Sequence, residues 1–107
     1  MFKWWNNLKL AHMHRLISQN FSAIEVAMAY YAGKQDEAAF KRLEALYLKN
    51  LRIANVFYEK HDLSSEDHQE LTELHAQMRE LFQRIYPGKS FDRTFVPNWT
   101  IDSEIKD

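Results

Sequence analysis

The chain has 107 residues, 46% of them hydrophobic and 14% aromatic, with two Gly, two Pro and no Cys. That length suits one domain with its own core, the apolar content argues against a disordered chain, and the lack of Cys excludes disulfides, thiol chemistry and cysteine-based zinc sites. The net charge of −1 hides a gradient: +3 over residues 1–34, +1 over 35–61, −4 over 62–86 and −1 beyond. This balance lacks the basic excess of nucleic-acid binders.

The opening stretch MFKWWNNLKLAHMHR sets Phe2, Trp4, Trp5, Leu8 and Leu10 among Lys3, Lys9 and Arg15, with no acid before Glu25. Such a stretch suits membrane contact through residues 1–10 or a protein contact. Lys9 falls between Trp5 and Phe2 in angle, so the two-sided wheel of an interfacial anchor is missing. No apolar run reaches the roughly 18 residues of a membrane span, and the start lacks the apolar core of a signal peptide. A soluble, cytoplasmic protein is the expectation.

From Leu10 the pattern Leu10, Ile17, Phe21, Ile24, Met28 and Tyr31, with Met13 and Leu16 beside it, predicts a helix over about 7–32. Gly33 is the expected left-handed stop, and the short link to Asp36, a capping residue, makes the next helix an antiparallel neighbour. If this first helix continued back to Phe2, then Trp4, Trp5 and Leu8 would lie away from its core stripe, as a contact surface. Asn6 or Asn7 as a cap would instead let the first residues fold back and bury the rings.

The second helix is predicted over 36–61. Phe40, Leu43, Leu46, Tyr47, Leu51, Ile53, Ala54 and Phe57 cover an arc of about 160° at 100° per residue, which marks this helix as the central one with neighbours on both flanks. Asn50 interrupts that arc and is expected to bond to a neighbouring helix or to the tail. On that view, Leu in its place raises the melting temperature or alters the oligomeric state, whereas a large loss would mean that the amide is satisfied in a network. Lys41, Arg42, Lys49, Arg52 and Lys60 form a basic face opposite, which reads either as a solvated surface partly neutralised by acids or as a contact for an acidic partner.

Ser64 or Ser65 caps a third helix over 65–86, whose stripe Leu71, Leu74, Met78, Leu81, Phe82 and Ile85 spans only about 100°. Pro87-Gly88 ends it. The tail over 88–107 has no helical period, yet it carries Phe91, Phe95, Val96, Trp99, Ile101 and Ile105, too apolar for a solvated end. It is expected to dock, at least from Phe91 to Trp99.

Chemistry-bearing patterns are weak. His68 and His75 stand seven apart and His12 and His14 two apart, whereas paired ligands on one helix stand three or four apart, so no metal site or cofactor is expected. The serines have no nucleophile-elbow glycines, and two glycines cannot build a phosphate loop. The chain reads as an all-α, antiparallel three-helix bundle with an ordered aromatic-rich C-terminal tail, a single domain over 1–107. Its expected function is non-catalytic protein binding, of adaptor, chaperone or inhibitor type. A peripheral membrane module and a metal- or ligand-binding bundle are the alternatives. Trp4, Trp5 and Leu8, with Phe95 and Trp99 of the tail, are the candidate contact residues, and the partner is another protein or a second copy.

Overall fold

The computed structural model describes residues 2–96, with side chains from Asn7 onward. Four helices follow in order: α1 (Phe2–Gly33), α2 (Glu37–Lys60), α3 (Ser65–Ile85) and the single turn α4 (Phe91–Thr94), with no strand among the described residues. Helix α1 starts at Phe2 rather than near Asn7. Residues 2–9 contain neither Gly nor Pro, so nothing in them breaks a helix, and Asn6 and Asn7 lie within it instead of capping it.

The turn between α1 and α2 also departs from expectation. Gln35, not Gly33, takes the left-handed conformation, at φ 57°. The N–H of Asp36 then reaches the carbonyl of Tyr31 at 3.0 Å, which satisfies an end-of-helix carbonyl two residues later than the glycine suggested. Asp36 caps α2 through Oδ1, which accepts from the N–H of Ala39 at 3.1 Å. His61, in the left-handed region, ends α2, and Ser64 caps α3 by accepting from the N–H of Asp67. Gly88, at φ 88°, makes the turn after Pro87 at a conformation that L side chains rarely adopt.

The central helix is α1, not α2. Helix α1 packs against both α2 and α3, while α2 and α3 touch each other much less. The buried residues of α1, Met13, Leu16, Ile17, Gln19, Asn20, Ala23, Ile24 and Ala27, span about 160°, whereas those of α2 span about 100°. Leu51, counted into the wide arc of α2, is exposed, and Phe40, Leu46 and Tyr47 are only half-buried. The second face of α1 escaped notice because polar Gln19 and small Ala23 and Ala27 carry much of it. Small side chains let neighbouring helices approach closely, so the face is buried without being strongly apolar.

Helix α2 returns along α1 and α3 runs parallel to it. Leu71 shares a cluster with Met13 and Ile17, while Phe82 shares one with Ala23 and Ala27. The tail docks as expected as far as the structure describes it. Phe91 and Phe95 are buried, in edge contact with Phe82 at 5.8 and 4.9 Å between ring centroids. Ser90 caps this last turn, and Asp92 accepts from Arg79 at 3.0 Å. The tail residues 97–107, Trp99 among them, lie outside the described residues.

Ending the chain after Gly88 should therefore lower the melting temperature. Two buried Phe rings contribute about 3 to 6 kcal/mol of burial before chain entropy is subtracted. Thermal denaturation followed by circular dichroism checks this, and an unchanged midpoint would mean that the tail is not part of the core.

Candidate functional site

Two apolar clusters fill the bundle. One gathers Met13, Leu16, Ile17, Ile53, Ala54, Phe57, Leu63 and Leu71. The other gathers Ala23, Ile24, Ala27, Leu43, Leu74, Met78, Phe82, Phe91 and Phe95. Between them lie the four buried polar residues Gln19, Asn20, Asn50 and His75. Asn50 Nδ2 donates to the carbonyl of Ile17 at 3.1 Å, and Asn20 Nδ2 donates to Asn50 Oδ1 at 3.1 Å. The expectation that Asn50 bonds to a neighbouring helix is met, and α1 supplies both partners. Asn20 Oδ1 meets no partner among the described residues, which leaves one uncompensated acceptor in the core.

Gln19 joins three elements. Its Nε2 donates to the carbonyl of Phe95 at 2.8 Å, and its Oε1 lies 2.7 Å from His75 Nε2 and accepts that N–H. This arrangement requires His75 neutral at Nδ1 or protonated at both nitrogens, and burial decides for the neutral form. Desolvation, then the charge of Arg79, holds His75 down at about 4, with His12 and Arg15 adding to the effect and Asp92 opposing it. His75 also meets the Phe91 ring edge-on at 5.2 Å. It is buried at the edge of the apolar stripe of α3, about 20° around the helix beyond Phe82. Gln19 could not be singled out in the sequence, and His75 stood out only as one of two histidines seven apart, because their complementarity exists only once α1 and α3 run parallel.

The candidate contact residues separate. Phe95 is buried and its carbonyl is used by Gln19, so it is a core residue and not a contact for a partner. The reason is the turn at Pro87-Gly88, which folds the tail back onto α1 and α3. Leu8 is 46% exposed. The backbone of Trp4 and Trp5 belongs to α1, their side chains lie outside the described residues, and so does Trp99. Of the basic face, Lys41, Arg42, Lys49, Arg52 and Lys60 are all exposed. Arg52 is engaged by α3: its guanidinium donates to Asp67 at 3.1 Å and Glu70 at 2.8 Å. Both carboxylates hold the Arg52 pKa above its usual value.

A feature not anticipated is a ridge on the side of α2 away from α3. Leu48 is 63% exposed, Leu51 38% and Tyr58 48%. The Tyr58 hydroxyl and His14 Nδ1 of α1 share a hydrogen bond of 2.6 Å. Burial lowers the pKa of His14 and raises that of Tyr58, so both stay neutral near pH 7. Leu48 was passed over because it sits beside the basic residues, outside the arc expected to be buried.

Among the described residues, no three His, Asp or Glu side chains gather to hold a metal ion, and no helix is long and apolar enough to cross a membrane. In comparison with known proteins, the chain matches no family model, no curated protein and no solved structure.

Two measurements follow from the buried polar groups. Asn50→Leu strands Asn20 entirely, so the structure reverses the expected gain. The variant should lose about 1 to 3 kcal/mol, read from urea denaturation, and Asn20→Leu/Asn50→Leu should recover part of that loss. His75 titrates near 6.5 when unfolded and at about 4 when folded. The unfolded chain therefore takes the proton first, so this contribution is complete above about pH 6.5 and is lost as pH falls towards 4. His75→Gln should flatten that slope in urea midpoints measured from pH 7 to 4.5, and an equal slope in both proteins would refute the assignment.

Proposed function

We propose that the chain is a non-catalytic, cytoplasmic helical binding module, of adaptor, chaperone or inhibitor type, that engages another protein through the first turns of α1. The supporting observation is the reach of that helix. The Lys9–Asp62 ion pair of 3.1 Å marks where the turn between α2 and α3 meets α1. The seven residues from Phe2 to Leu8 precede that level, a length of about 10 Å at 1.5 Å per residue. Asn7, Leu8 and Lys9 are all exposed. A helical extension of two turns gains little from its own hydrogen bonds. In this stretch it carries two tryptophans and a leucine, residue types that anchor protein contacts, where a truncated Trp often costs about 2 kcal/mol or more.

A membrane surface is the second reading, and the absence of acid before Glu25 favours it. Catalysis has no comparable support: the buried polar side chains mostly spend their hydrogen bonds on one another and on the backbone.

Tryptophan fluorescence separates these readings once Trp99 is replaced by Phe, so that Trp4 and Trp5 alone report. Red-shifted, easily quenched emission is expected in the protein alone. A blue shift with anionic liposomes selects the membrane, and a blue shift only with a protein partner selects the adaptor reading. Blue, protected emission in the isolated chain would overturn both.

A further inference from the structure

The ridge of α2 carries information about what covers it. At 100° per residue, Lys41, Glu44, Leu48, Leu51, Asn55, Tyr58 and Glu59 fall in one strip of about 100°, centred about 140° from the buried arc. All seven are exposed. Leu48 and Leu51 lie one turn apart at mid-helix. Lys41 stands seven residues before Leu48, and Glu59 eight residues after Leu51. The ring of Tyr58 is held in place by His14, so the aromatic at one end of the strip is already ordered before any contact forms.

We infer that this strip is self-complementary and pairs with the α2 helix of a second copy, antiparallel, about a two-fold axis between Leu48 and Leu51. In that register Leu48 meets Leu51 of the partner, and Leu51 meets its Leu48. Glu44 faces the amide of Asn55, which can donate to it. Lys41 lies across the ring of Tyr58, with the Glu59 carboxylate beside it. Every contact occurs twice, as an isologous interface requires. The parallel alternative would oppose Lys41 to Lys41, Glu44 to Glu44 and Glu59 to Glu59, three like-charge pairs, so the charge pattern selects the antiparallel orientation. Among the described residues, no ion pair engages Lys41 or Glu59 within the chain.

A helix of 24 residues offers a strip about 36 Å long. Contact along one such strip belongs to the small size class of transient interfaces, so the second copy binds reversibly. The surface is distinct from the first turns of α1, and the two readings stand or fall separately.

Sedimentation equilibrium across micromolar to near-millimolar concentration tests the inference. The unaltered protein should fit a monomer–dimer equilibrium. Leu48→Glu should weaken it about tenfold or more without changing the helical circular dichroism or the melting curve. Lys41→Glu and Glu59→Lys should each weaken association, and the variant carrying both should recover it, because the exchanged charges again face each other. Trp4→Ser/Trp5→Ser should leave the equilibrium untouched. A chain monomeric at every concentration would overturn the inference and leave the ridge to a different partner. A dimer insensitive to Leu48→Glu but abolished by Trp4→Ser/Trp5→Ser would move self-association to α1. Failure of the double charge exchange to recover binding would overturn the antiparallel register.

Discussion

The bundle depends on a belt of four polar side chains at mid-height. Apolar packing above and below it is non-directional and would tolerate α2 or α3 sliding by a turn. Hydrogen bonds do not tolerate this. A displacement of one turn, about 5.4 Å, would part Asn50 from Asn20 and from the carbonyl of Ile17, and His75 from Gln19. Because α1 contributes Gln19 and Asn20, adjacent in sequence and about 100° apart around the helix, it fixes its two neighbours independently. Gln19 extends the same control to the tail through the Phe95 carbonyl. The unmet acceptor of Asn20 suggests that this belt serves register more than stability, a role buried amides are known to play between helices.

That division explains what could be read in advance. Helices, caps at Asp36 and Ser64 and the narrow stripe of α3 follow from local periodicity and from turn chemistry, and those rules act over a few residues, while the docking of the tail follows from its apolar composition. The choice of central helix does not. It depended on the second face of α1, where Gln19, Ala23 and Ala27 carry little hydrophobic signal and become core only when α3 supplies His75 and Phe82. Asn50 was legible as an interruption because it broke an otherwise apolar pattern. Gln19 broke no pattern, and its partners are 56 and 76 residues away. Phe95 was expected to dock with the tail and does so, but it was also counted as a contact residue, since apolar composition says that a tail docks and not which of its rings are buried.

Electrostatics follows the same geometry. The charged segments meet at two places, where Arg52 is clasped by Asp67 and Glu70, and Lys9 by Asp62. These exposed pairs contribute little stability individually. They do set which side of α2 faces α3, and so which side is left outward.

The parallel course of α1 and α3 has a consequence for how the chain acquires its structure. A three-residue link lets α1 and α2 close a hairpin through contacts near in sequence, which form fast. The other face of α1 must wait until the chain has grown past residue 75, and its closure by Phe95 comes later still. For that interval an exposed helix flank is a hazard for association with neighbouring nascent chains. Gln19, with the small side chains of Ala23 and Ala27 following it, makes the waiting face polar and shallow at its midpoint. The same amide that later locks His75 and the tail thus makes the half-grown hairpin a poor target for premature contacts.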